Sequence, residues 1–166
     1  MQIRFTPVRL IILATVVLGV GGYFLVDWLI VTDVERVEAM VDRLARVAEM
    51  NEVEAAMPHL DASFRMGRLD RDAFRKWCVK TLTVLRVREV SIWETKVALD
   101  GPDGQSARAE VQTFVEMEDP PGFHRVDWEL GFRRRGEDVW KLSSLRAFHP
   151  KDRREIPLES IPNWIP

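Results

Sequence analysis

His59 and Asp61 are the residues of this chain best suited to acid–base chemistry. They stand two apart in the segment His59–Phe64. A histidine in contact with a carboxylate can act as a general base near neutral pH. The plainer use of such a pair is in an exposed loop, where it caps local backbone. The sequence leaves both readings open. His124 follows a Pro-Pro-Gly turn, and His149 precedes Pro150 without an acid beside it. Three scattered histidines and one cysteine, Cys78, do not make a metal site, and a single cysteine excludes an intrachain disulfide. No cofactor is called for. Cys78 falls on an apolar helix face with no base nearby, so it reads as a small buried hydrophobe. Phe64, Phe74, Trp77, Trp93, Trp128, Phe132 and Trp140 are candidates to line a pocket for a small apolar ligand. Such aromatics equally fill cores.

Helices come first among the elements that position these residues. Thr32-Asp33-Val34-Glu35 has the form of a capping box. Val34, Val37, Val41, Leu44 and Ala48 then recur at helical spacing, with Met40 and Val47 widening the stripe, and Asn51 ends the helix. Glu52–Met57 is a short helical stretch stopped by Pro58. His59–Phe64 reads as a link and Met66-Gly67-Arg68 as a turn. Asp70 is a good N-cap for a helix whose apolar stripe is Phe74, Trp77, Cys78, Thr81, Leu82 and Leu85.

After Arg86 the period changes to two. Val87–Leu99 reads as a strand and Asp100–Gly104 as a turn. In Ala107–Glu118, residues Ala109, Val111, Thr113, Val115 and Met117 share one face. In the next strand Val126, Trp128, Leu130 and Phe132 do the same. Asp127, Glu129, Glu110 and Glu116 fall on the opposite parity with Arg108, Arg125 and Arg133, as expected of cross-strand ion pairs on a solvated or dimer-facing sheet. Val139–Phe148 is the last strand. Helices followed by a strand meander predict an α+β layer fold. The tail 149–166 carries Pro150, Pro157, Pro162 and Pro166, which forbid helix and interior strand. Its apolar residues Ile156, Leu158, Ile161 and Trp164 either dock on their own domain or bind a partner.

The chain begins with a different kind of segment. Leu10–Val26 carries no charge, and the apolar character resumes after Asp27 as far as Val31. Twenty-two residues of helix reach roughly 33 Å, enough to cross a bilayer core. Hydrophobicity past Gly22 favours a retained signal anchor over a cleaved signal peptide. Arg4 and Arg9 before the run, and Asp33 and Glu35 after it, place the C-terminal part on the periplasmic or extracellular side. Residues 1–31 hold Arg4, Arg9 and Asp27, a net +1, which leaves −3 on the rest against −2 for the whole chain. That balance excludes a nucleic-acid footprint, which needs a basic stripe. The expected organisation is a transmembrane anchor over 1–31, one domain over 32–148 and a proline-rich tail over 149–166.

The element order over Val34–Phe148 resembles the nuclear transport factor 2-like superfamily. The segments that carry the likeness are AEMNEVEAAMPHLDASF, GRLDRDAFRKWCVKTL, VREVSIWETKVALDG, ARAEVQTFVEM and VDWELGFRRRGEDVWKLSSL, with the closing Asp138-Val139-Trp140-Lys141-Leu142. The resemblance implies a cone of helices packed on a curved antiparallel sheet, shared with SnoaL-like cyclases and ketosteroid isomerases. Enzymes of this kind work in the cavity between helices and sheet, with acids or a His–Asp pair and often a tyrosine. The chain's one tyrosine, Tyr23, lies in the hydrophobic run, and no acid falls on the inward parities of the meander. A membrane-anchored, non-catalytic binding or assembly module is therefore expected, with a homo-oligomer or other membrane-complex proteins as partners. In layout it resembles inner-membrane components of type IV secretion. The alternative is a SnoaL-like lyase or isomerase that uses His59 and Asp61. A fold of this kind hosts all of these, so the site must decide.

Overall fold

Helix α1, Asp33–Glu49, buries Val37, Val41 and Val47, with Met40 and Leu44 packed partly beneath it, while Ala48 is exposed. The computed structural model describes residues 32–158 apart from 83, 102, 120, 137 and 138. The hydrophobic run with Tyr23 and Asp27, and the tail residues Ile161 and Trp164, lie outside the described residues. Among the described residues no helix is long and apolar enough to cross a membrane.

Asn51 ends α1 in the left-handed region, at φ 54°, which asparagine tolerates better than most residues. Its side-chain amide then does what a neighbouring strand would do. Nδ2 donates to the Val87 carbonyl at 2.7 Å, and Oδ1 accepts from the Val87 N–H at 2.8 Å. The Glu49 carboxylate accepts from the Val90 N–H at 2.8 Å. The C-terminus of α1 thus satisfies the first part of an otherwise open sheet edge.

A short helix α2, Val53–Ala56, leads into a 3-10 turn, Met57–His59. The predicted link that follows is instead a strand, β1, Leu60–Met66, joined through Gly67 at φ 56° to β2, Leu69–Asp70. Its correct assignment depends on a distant partner. β1 pairs in parallel with β6, Leu60 opposite Leu142 and Arg65 opposite Ser144. Asp70 caps the next helix as expected, its Oδ1 accepting from the Ala73 N–H at 2.9 Å. That helix, α3, is Arg71–Leu82. Arg71 donates to the Met57 carbonyl at 2.9 Å and so ties α3 to the 3-10 turn.

The meander forms as its alternation predicts: β3, Arg86–Asp100; β4, Ser106–Asp119; β5, Gly122–Arg135; β6, Val139–Phe148. A two-residue strand β7, Glu155–Ile156, returns along β6. The order across the sheet is β2-β1-β6-β5-β4-β3. Every neighbouring pair is antiparallel except β1 with β6. Register shifts interrupt β3 twice beyond its first residue, between Val87 and Glu89 and between Ile92 and Glu94. Such irregularities bend and twist a strand, and the helices pack against the curved sheet that results.

The core lies between the helices and the inner sheet face. Ala107, Ala109 and Val111 of β4 meet Phe132, Leu130 and Trp128 of β5 in register. The inward parity of both strands is therefore as the alternation predicts. Trp128 is only half-buried, and its indole N–H donates to the Thr113 hydroxyl at 2.8 Å.

Candidate functional site

Asp61 is the most deeply buried acid among the described residues, and its partner is Arg135, not His59. The side chain is 1% exposed. The Arg135 guanidinium grips it with a forked pair of bonds, Nε to Oδ2 at 2.6 Å and Nη2 to Oδ1 at 2.9 Å. Ser63 adds its N–H at 2.8 Å and its hydroxyl at 2.6 Å. With four donors on one carboxylate the charged form is strongly favoured. The bond from Arg135, more than any other influence, holds the Asp61 carboxyl far below the usual carboxylate range. A carboxylate so held is a poor base at neutral pH. Burial, with Arg43 and Lys141 close by, lowers the His59 pKa as well. Among the described residues no carboxylate is recorded in contact with that imidazole. The expected His59–Asp61 pair is replaced by an Asp61–Arg135 clamp that fastens β1 to the end of β5.

The aromatic residues between the helices and the inner sheet face form a packed core. Phe64, Met66, Phe132 and Trp140 are each under 2% exposed and pack with Phe74, Leu142 and Val37. Phe64 meets Phe74 at 4.9 Å between ring centres, and Phe74 stacks on Trp77 at 5.7 Å. Six of the seven proposed pocket-lining aromatics are therefore core or half-buried packing residues. Trp93 departs from the expectation altogether. It sits at the second irregularity of β3, is 72% exposed, and lies 5.3 Å from Phe114 on the outer face. Burial pushes the Cys78 thiol up to about 12, so it is inert as a nucleophile. Among the described residues no group of three His, Cys, Asp or Glu is placed to hold a metal ion.

Two concavities are formed by the described residues, one between α1 and the inner face of β3 and one on the outer sheet face. One is a groove of about 310 Å³ between α1 and β3, floored by Ala45, Val90 and Ile92 and rimmed by Asp42, Arg46 and Glu49. The other is a cavity of about 20 Å³ on the outer face, among Glu94, Glu110, Gln112, Asp127 and Arg153. It has room for roughly one water molecule.

The tail explains the second cavity and corrects the reading of the outer face as simply solvated. His149–Arg154 turns back, with Arg153 in the left-handed region at φ 54°. The Arg153 guanidinium reaches Glu110 and Asp127, both at 3.9 Å, and lies over the Phe148 ring. Arg146 bonds Glu155 at 2.7 Å and approaches Glu129 at 3.6 Å. Ion pairs form on this face, and among the described residues the recorded cations are Arg88 for Glu116, Arg146 for Glu129, and Arg153 for Glu110 and Asp127. Asp127 is buried beneath this return. Ile156 packs against the core, and Leu158 lies inside it at 7% exposed. Both are occupied by their own domain, which removes them as free partner-binding residues.

This arrangement of helices on a bent sheet has counterparts among solved structures. A nuclear transport factor 2-like protein from Rhodospirillum rubrum matches with a TM-score of 0.56 at 12% identity, over 67% of this chain and 95% of that one. The domain has the nuclear transport factor 2-like fold. A second such protein, from Cytophaga hutchinsonii, matches with a TM-score of 0.56 at 10% identity, over 67% of this chain and 93% of its own. A Bdellovibrio bacteriovorus protein matches with a TM-score of 0.57 at 9% identity, and the chain spans only 39% of its length. No protein-family profile and no curated protein sequence matches the chain. At such identities the likeness speaks for the fold alone, and the nuclear transport factor 2-like fold carries many unrelated sites.

Proposed function

We propose that the chain is a membrane-anchored, non-catalytic binding or assembly module whose nuclear transport factor 2-like domain faces the periplasm or the extracellular side. The observation that carries the reading is the interior of the cone. Phe64, Phe132 and Trp140 are buried in the core between helices and sheet, and the buried carboxylate of Asp61 is committed to Arg135. The anchor rests on the uncharged run Leu10–Val26 and on the arginines before it.

A phosphatase reporter that works only outside the cytoplasm, fused after Pro166, should be active, with the chain in the membrane fraction. A reporter active only in the cytoplasm, or a chain recovered without detergent, overturns the location. The filled cone is tested separately. Flat apolar ligands such as steroids and polyketide-like aromatics should leave the thermal unfolding midpoint of the detergent-solubilised chain unchanged. Binding to the native state raises stability by mass action. A ligand-dependent rise in the midpoint would mean that the cone opens, and the lyase or isomerase reading would return.

A further inference from the structure

We propose that the outer sheet face carries a binding site for a phosphate group, framed by Arg108, Arg133 and Lys141 and floored by the hydroxyls of Ser143 and Ser144. The site lies outside the core and does not depend on the anchor, so it goes beyond the reading above. Ala107, Ala109, Phe132, Trp140 and Leu142 are all buried in the core. Alternation then sets Arg108, Arg133 and Lys141, on three adjacent strands, on the opposite face. Arg133 stands directly opposite Lys141, and Arg108 stands opposite Gly131. The arginines that flank this patch have acids. Arg146 approaches Glu129 at 3.6 Å, Arg153 approaches Glu110 at 3.9 Å, and Arg65, opposite Ser144 on β1, approaches Asp70 at 3.7 Å. Among the described residues no carboxylate is recorded with Arg108, Arg133 or Lys141. Like charges set directly opposite across two strands cost stability. The fold nevertheless keeps Arg133 and Lys141 opposed, and an anion between them removes the conflict.

The backbone among these cations is shaped for close approach. The register between β5 and β6 shifts between Gly131 and Phe132, so β6 sets both Ser143 and Ser144 against Gly131. A Cβ on residue 131 would collide with the Ser144 hydroxyl and stand 3.4 Å from that of Ser143. Both serines are half-buried, and neither hydroxyl has a hydrogen-bond partner among the described residues. A glycine inside a strand and an irregularity beside it are the features that let a ligand approach the backbone. Two hydroxyl donors lie below, with two guanidinium forks and one ammonium around them. That donor set suits a tetrahedral dianion, which accepts several charge-assisted bonds at once. A carboxylate has only two oxygens, in one plane, and satisfies fewer of these donors.

Thermal unfolding of the full-length chain in detergent, with inorganic phosphate as the probe, tests this. Phosphate should raise the midpoint saturably, and sodium chloride at equal ionic strength should not. Arg133→Gln and Lys141→Gln should each weaken the apparent phosphate affinity roughly tenfold. Ser143→Ala should weaken it less. Arg88→Gln, whose cation is committed to Glu116, should leave it unchanged. Without phosphate, Lys141→Gln should unfold no lower than the parent, because it removes a repulsion. That readout separates loss of the ligand from loss of the fold. A rise that chloride reproduces overturns the proposal. So do Arg133→Gln and Lys141→Gln variants that bind phosphate as the parent does, or a Lys141→Gln chain destabilised in phosphate-free buffer. Nanodiscs that contain phosphatidic acid distinguish the source of the phosphate group. Added phosphate loses its effect there if a lipid headgroup fills the site and keeps it if the natural ligand is soluble, and either result supports a phosphate site. The fraction in which the chain is found bears on the anchor alone.

Discussion

Trp140→Ala is expected to lower the unfolding free energy by about 3–5 kcal/mol, the range for a large aromatic removed from a packed core. Trp140 is 1% exposed and is the largest fully buried side chain among the described residues. It enters the core at the start of β6, opposite Arg134. Domains of this size have stabilities of about 5–15 kcal/mol, so the variant would lose a large share of its margin. The conservative change behaves differently. The buried indole N–H has no hydrogen-bond partner among the described residues, so Trp140→Phe should cost only about 1 kcal/mol, mostly lost packing. Denaturant unfolding of both variants measures this. A loss well under 1 kcal/mol for the alanine variant would mean that the start of β6 is not core.

The second large effect belongs to the Asp61–Arg135 clamp and depends on pH. The folded-state pKa of Asp61 lies below its unfolded value of about 3.9. The clamp therefore contributes its full stability above that value and loses it progressively as pH falls below about 4. Arg135→Ala leaves the Asp61 carboxylate buried with only the Ser63 bonds. A buried carboxylate stripped of its cation is strongly disfavoured. The variant should be markedly less stable at pH 7, and its profile below about pH 4 should be flatter than the parent's, because a carboxyl no longer held down by Arg135 loses little on protonation. The two should converge as the parent approaches its own acid transition. Asp61→Asn, which keeps the shape without the charge, should lose less at neutral pH and show a flatter profile below pH 4. Urea midpoints at pH 7, 5 and 3 provide the measurement. Superimposable profiles for the parent chain and Arg135→Ala would show that the pair carries no stability.

What was legible in the sequence follows from the range of each interaction. The α1 and α3 stripes, the Asp70 cap and the turns at Gly67 and Gly101–Gly104 depend on residues within a few positions of one another, and all can be read locally. The parities of β4 and β5 are equally plain because both strands alternate without interruption across their shared register. β1 was not legible. Leu-Asp-Ala-Ser-Phe-Arg-Met breaks the alternation with a polar residue at a buried position. Asp61 is tolerated there only because Arg135 arrives from 74 residues away. No local signal carries that information, and the same long reach hid the true partner of the supposed catalytic acid. Trp93 was misplaced for another reason. The irregularity between Ile92 and Glu94 adds a residue to β3 and resets its alternation. The tail divides similarly: its prolines argue against a long helix or strand, but the short β7 pairing with β6 and the burial of Leu158 depend on the packed structure.

The parallel pairing of β1 with β6 also dictates when the molecule can fold. β1 emerges early in synthesis between two helices, yet its partner strand is almost the last element made. Until residues 139–148 are present, Leu60, Phe64 and Met66 have no surface to pack on and Asp61 has no counter-charge. Closing so long a loop must precede the contacts that stabilise it, which slows folding. β1 is thus left without its sheet partner until β6 has been made.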